Sequence, residues 1–214
     1  MYVPKHFAEG RPAAVEALVR AHPLATIVSL APDGPDANHI PLVLSGPPAP
    51  GGELHGHVPR FNPLVEHVAR HPSGLAIFHG PNAYISPSWY ATKAESGRVV
   101  PTWNYAVVHV QADLRVVDDP AWVRSQLDRL TEALEGASAE PWAVSDAPPT
   151  YTDTQIRALV GLELRIRSVV AKTKASQNHP ERNRDGVIRG LRARGAHGDH
   201  AMADLVASGS RDPA

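Results

Sequence analysis

The chain has 214 residues, 43% of them hydrophobic and 20% charged, with a formal net charge of −1 and no cysteine. That length supports one sizeable domain with room for an appended arm, and 21 Lys+Arg against 22 Asp+Glu give no bulk attraction to nucleic acid or anionic membrane. The missing thiols exclude disulfides, iron–sulfur ligation, thiolate zinc and a cysteine nucleophile. No apolar run nears the ~18 residues of a membrane span and MYVPKHF lacks a signal-peptide pattern, so the expectation is a soluble, cytoplasmic protein with no membrane partner.

Residues 12–21 (PAAVEALVRA) predict a helix with proline at its first position, Val15, Leu18 and Val19 on one face, and His22-Pro23 as the stop. Runs 24–30 and 37–44 predict strands around an Asp33-Gly34 turn, and 53–59 alternates as a third strand. After Pro63 the sequence supports a short helix, and the apolar run 74–80 predicts a central fourth strand. An aromatic stretch follows at 82–93, then a turn at 95–97. Residues 99–119 read as one bent strand or two, with Pro87 and Pro101 arguing against an uninterrupted ladder. Pro120 opens an amphipathic helix that Gly136 stops. The last strand, 161–174, alternates Leu162, Leu164 and Ile166 with Glu163, Arg165 and Arg167, which implies one wet face. Two polar helical stretches end the chain.

No repeat of fixed period occurs. Short hairpin-linked strands with helices outside predict a mainly β, α+β fold: a small antiparallel barrel over residues 1–179 and a peripheral helical arm over 180–214. The long crossover helices of a doubly wound sheet are missing, as are GxSxG, Walker and GxGxxG motifs.

Chemistry concentrates in a few places. The strand–GHVPRFN–helix unit puts Arg60 and Asn62 beside the free N–H groups of a helix start, which suits a phosphate or carboxylate; the alternative is that Asn62 caps the helix and Arg60 is solvated. His55 and His57 lie two apart on a strand and so share a face, while His67 and His71, four apart on a helix without HExxH, are expected to be exposed. A metal with three protein ligands lacks an obvious third residue, whereas one axial haem ligand needs a single histidine. Tyr84, Trp89, Tyr90, Trp103 and Tyr105 form an aromatic group that suits a planar ligand, a subunit interface or a core, with Lys93, Asn104 and His109 among them. Lys172 and Lys174 share a strand face ahead of Ser176, Gln177 and Asn178.

MYVPKHF, HPLATIVSL, NHIPL, GHVPRFNP, GPNAYISPSWY, VVPTWNYAVVHV, PWAVSDAP and SQN occur in the order of the PaiB-type family, and from residue 1 to about 195 the chain resembles those FMN-binding negative transcriptional regulators. The resemblance implies a flavin-binding split barrel, a homodimer with cofactor pockets at the subunit interface, and FMN as cofactor. Carried over by position, Arg60 and Asn62 would hold the phosphate with Lys93 as a second cation. Trp103, Asn104 and Tyr105 would line the ring or interface, and Lys174, Gln177 and Asn178 would complete the cofactor site. The chain departs from the usual pattern at Pro59 and Phe61, and at His179, where the family commonly has arginine.

A branch of the same family is similar to haem-dependent piperazate synthases, which close an N–N bond on an N-hydroxylated ornithine. Gly56-His57 matches their motif, which implies His57 as the axial ligand of haem b, although the long SWYATKAESGRVV segment follows the regulators. Direct DNA recognition would have to use a local patch of Arg182, Arg184, Arg189, Arg192 and Arg194, because the chain as a whole is near neutral.

Overall fold

The computed structural model describes residues 1–209. Its framework is an antiparallel sheet of strands β1 (Ala8–Glu9), β2 (Leu24–Ala31), β3 (Gly34–Pro41), β4 (Val43–Ser45), β5 (Glu53–Pro59), β6 (Ser73–Ile85), β7 (Thr102–Val117) and β8 (Leu159–Lys174). The order is β3-β2-β6-β7-β8-β5-β4, with β1 on β8. Among the described residues seven α-helices accompany it: α1 (Pro12–Ala21), α2 (Leu64–Arg70), α3 (Thr92–Ser96), α4 (Pro120–Glu135), α5 (Pro149–Arg157), α6 (Glu181–Arg194) and α7 (Asp199–Ser208). The α+β antiparallel architecture is the one expected. Among the described residues no helix is long and apolar enough to cross a membrane.

The chain packs as two units, and β6, β7 and β8 contribute residues to both. The larger comprises residues 12–78 and 109–169. Its β2–β3 hairpin pairs Ala31 with Gly34, so the two-residue turn is Pro32-Asp33 and Gly34, at φ 134°, takes the backbone position a side chain would resist. β5 pairs with β8 from Glu53–Arg165 to Pro59–Leu159. A Cβ on Gly56 would lie 2.8 Å from a Leu42 methyl and 3.0 Å from the Pro41 carbonyl, so only glycine lets the chain between β3 and β4 come so close to β5. Asp119 accepts from the Ala121 N–H at 2.9 Å and starts α4, which buries Val123, Gln126 and Leu130 at helical spacing.

The smaller unit comprises residues 1–11, 79–108 and those from 170 on. Its core joins Ala83, Ile85 and Tyr90 to Val187 and Leu191 of α6 and to Met202 and Val206 of α7. The segment expected as a peripheral arm therefore supplies much of this core. α6 is polar by composition: of its residues Asn183, Gly186, Val187 and Leu191 are buried, with Ile188 packed partly against the core. Gly186 and Gly190 seat the helix on the turn at Trp89: a Cβ would fall 1.9 Å from the Trp89 carbonyl oxygen at the first and 2.2 Å from its ring at the second.

The structure decides one open alternative and changes two expectations in detail. Residues 99–119 hold one sixteen-residue strand, β7, with Pro101 just outside it. β6 continues through the aromatic stretch to Ile85. The sequence predicts no element over residues 149–157, where the structure forms helix α5 with Pro149 in its first turn.

Candidate functional site

The GHVPRFN loop leaves β5 in the larger unit, where Arg60 forks onto Asp118 with N–O distances of 2.6 and 2.8 Å and donates to the Arg157 carbonyl at 3.2 Å. The Asp118 hydrogen bond holds the guanidinium proton more tightly than usual, and Arg60 in turn keeps the Asp118 carboxyl below its ordinary range. Asn62 accepts from the Leu64 N–H at 2.9 Å and donates to Asn38 at 3.1 Å. Of the two readings of this loop, the geometry is that of the capping asparagine, and Arg60 serves an internal ion pair.

His55 and His57 both face α4, as strand periodicity requires. The His57 Nδ1 lies 2.8 Å from the Gln126 carbonyl oxygen; that oxygen only accepts, so Nδ1 donates and the lone pair of the neutral ring sits on Nε2. Buried His55 accepts from Arg129 at 3.1 Å and donates to Glu53 at 2.9 Å. Glu53, His55 and Glu163 bring ligand-type atoms within 4.8 Å of one another, but Arg115 forks onto Glu163 at 2.8 and 3.1 Å. With two guanidinium groups on it, the cluster is an ion-pair network. His67, expected outside, is buried: Leu64, His67 and Val68 form the inward face of α2, and its Nδ1 stands 3.6 Å from Asp36. His71 is exposed as expected.

The smaller unit holds a pocket of 360 Å³ between Thr102 and Asn104 of β7, Lys174 of β8, the turn after it, and the segment carrying Tyr90 and Arg98. Asn104 is 1% exposed and donates to the Ser176 hydroxyl oxygen at 2.8 Å, which leaves the hydroxyl proton free to donate elsewhere. Its own carbonyl oxygen is buried without a partner. Ser176 is held at φ 60°, a left-handed conformation that costs a serine ~1–2 kcal/mol. Gln177 sustains it by accepting from the Ala175 N–H at 2.7 Å and donating to the Thr173 carbonyl at 2.5 Å. The Lys174 ammonium donates to the Thr102 hydroxyl. No carboxylate lines the pocket among the described residues.

Of the residues singled out from sequence, this pocket unites Asn104, Lys174 and Asn178. Gln177 braces the turn beside it. Lys93 is exposed and donates to Ser88 at 3.3 Å, Trp103 points outward with its indole N–H on Asn82 at 3.3 Å, and the Tyr105 ring lies 5.1 Å from the Lys172 ammonium. The aromatic group is thus no single wall: Tyr90 lines the pocket, Trp89 lies under α6, and Tyr84 and Trp103 meet edge to face at 6.2 Å on the outside. Arg98 and Asn183 line the pocket too and sequence reasoning passed over both. Arg98 follows a turn with no motif around it. Asn183, which donates to the Thr92 hydroxyl at 3.0 Å and accepts from its N–H at 3.1 Å, sat in a stretch read as a peripheral helical arm.

Comparison with known proteins places the chain in a family. The chain is 31% identical over 242 residues to an uncharacterized protein of Emericella nidulans, with 96% of each chain covered. It is 27% identical over 206 residues to the protease synthase and sporulation protein PAI 2 of Bacillus subtilis, again with 96% of each covered. Among solved structures, the flavocytochrome Anf3 from Azotobacter vinelandii shares the split-barrel fold at a TM-score of 0.61 and 15% identity, over 80% of this chain and 72% of that one. Residues 1–168 match the family model described as "Putative FMN-binding domain", and the chain belongs to that family, with the PaiB-type resemblance of its motifs borne out.

Proposed function

We propose that this protein binds FMN, with the phosphate and ribityl end in the 360 Å³ pocket of the smaller unit. The observation that carries the reading is the lining of that pocket: Lys174, Arg98 and the freed Ser176 hydroxyl supply donors for a phosphate, with no acidic residue to oppose it. The unpartnered Asn104 carbonyl accepts from a ribityl hydroxyl, so the donor and acceptor set fits that end of the cofactor. Bound flavin would supply one- and two-electron redox chemistry, while the side chains hold and orient it.

Titration of the purified protein with FMN and with riboflavin, followed by flavin fluorescence, tests this. FMN should bind and riboflavin, lacking the phosphate, should bind far less tightly. A charge-assisted hydrogen bond contributes about 1.5–3 kcal/mol, so Lys174→Ala should weaken FMN by roughly ten- to a hundredfold. Equal affinity for the two flavins, or a Lys174→Ala protein that binds like the parent, overturns the site.

The regulatory role that the family resemblance implies then works through the small molecule. In α6, Arg182, Arg192 and Arg194 are paired with Glu95, Asp204 and Asp199, and Glu181 and Asp185 match Arg184 and Arg189 in number, so little unbalanced charge is left to follow a phosphate backbone. A DNA complex that weakens steeply with salt would replace this by direct repression. The assembly we propose is a homodimer, supported by the outward-facing Tyr84 and Trp103.

A second reading has one observation in its favour. Gln126 fixes the His57 tautomer so that Nε2 offers a lone pair, the arrangement an axial haem ligand needs. Haem b on His57, with chemistry of the piperazate synthase type, predicts a Soret band on haem addition that His57→Ala abolishes; an unchanged spectrum in that variant removes it.

A further inference from the structure

We infer that His179 acts as a third, protonatable cation of this pocket, so that the protein takes up a proton together with a phosphate monoester. The inference rests on the FMN reading and deepens it, by making binding respond to pH.

His179 lines the pocket with Lys174 and Arg98, and its ring stacks on Tyr90 with centroids 4.8 Å apart and planes 20° from parallel. Its backbone N–H donates to the Ser176 carbonyl at 2.9 Å, which ties it to the turn that presents the Ser176 hydroxyl. The titratable and charged groups of the lining are Tyr90 from the segment before α3, Arg98 from the segment after it, and Lys174 from β8; Thr92 of α3 and Asn183 of α6 are uncharged. Burial pushes the Tyr90 phenol up, so it stays neutral near pH 7. Every permanent charge in the pocket lining is therefore positive.

That arrangement makes the protonated ring unwelcome in the empty pocket. Burial first, and Lys174 second, lower the His179 pKa from its ordinary 6.5. A phosphate dianion reverses the sign of the local potential and favours the imidazolium, because an opposite charge within a few ångströms stabilises the charged form. Proton and anion then bind cooperatively, and linkage requires each to tighten the other equally.

FMN affinity measured from pH 8 to pH 6 tests this in the parent, His179→Gln and His179→Arg proteins. The FMN phosphate itself takes up a proton near pH 6, which weakens binding in all three, so the comparison isolates the ring. Relative to His179→Gln, the parent should gain about three- to tenfold in affinity over that range, the size of one partly screened charge contact. His179→Arg should keep its advantage over His179→Gln constant at every pH. Calorimetry at pH 7 in two buffers of different ionisation heat should show proton uptake greater in the parent than in His179→Gln. Parallel pH profiles with equal proton uptake overturn the role of His179 while leaving the FMN site standing. Failure of the parent to bind FMN at any pH overturns both.

Discussion

Asp199 shows how much one side chain carries here. It is 1% exposed at the start of α7, forks onto Arg194 at 2.7 and 2.5 Å, and accepts from the Ala196 N–H at 2.9 Å. The Arg194 hydrogen bond holds its carboxyl below the ordinary 3.8, so its stabilisation is present above that value and is lost as pH falls through the lower folded one. Breaking a buried pair costs about 3–5 kcal/mol, and Arg194 is partly solvated, so Asp199→Ala should lose about 3 kcal/mol in urea unfolding at pH 7. The difference from the parent should shrink in strong acid. The histidines set the milder range: burial lowers His22, and lowers His179 ahead of Lys174, so the unfolded chain protonates first. Without ligand, thermal stability should therefore fall as pH drops through 6.5, and FMN should offset the His179 part. Residue types were readable from sequence, but partners were not. Arg60 looks the same in the chain whether it faces a ligand or Asp118, 58 positions away, and only the fold decides.

Helix α6 makes the same point for elements. By composition its face looks weak, with Gly186 and Gly190 where larger side chains are expected, yet Arg194 continues that spacing with its guanidinium 5.0 Å over the Trp89 ring. Gly190→Ala should raise helix propensity by about 1 kcal/mol, but its Cβ would meet the Trp89 ring at 2.2 Å, and overpacking costs about 1–3 kcal/mol. The net effect should be destabilising in the parent and stabilising in a Trp89→Ala background. Gly186→Ala should not be rescued there, since its clash is with the Trp89 carbonyl. A double-mutant cycle by chemical denaturation separates the two, and additive Gly190 and Trp89 effects would show that the contact is absent. Elements with their own signals were legible: α1 and α4 from terminal prolines or glycine and apolar spacing, β2 from the turn beside it, β5 and β8 from alternation. α5 was not, because it buries only Thr152 and Ile156, and two residues leave no periodicity to read.

At the scale of the molecule, Tyr84 and Trp103 are the outward aromatic pair, 41% and 51% exposed on neighbouring strands β6 and β7. Trp and Tyr are enriched at interfaces because each offers a large apolar area with one polar tip, and the Trp103 N–H is already satisfied by Asn82, which lowers the cost of covering it. A second copy of the chain is a reasonable cover on charge grounds as well: at a net −1, like protomers repel one another little. A stable dimer needs roughly 1,200–2,000 Å² in total, so the pair would be the centre of a wider contact and not the whole of it. Substitution at such a centre typically costs about 2 kcal/mol or more. Trp103→Glu should therefore convert the dimer to monomer in sedimentation velocity while the far-ultraviolet spectrum stays that of the parent, because the side chain lies outside both cores. Trp103→Phe should keep the dimer with weaker association. A parent protein that sediments as a monomer at its highest soluble concentration, or a Trp103→Glu protein that still dimerises, would assign the exposed pair to something other than self-association.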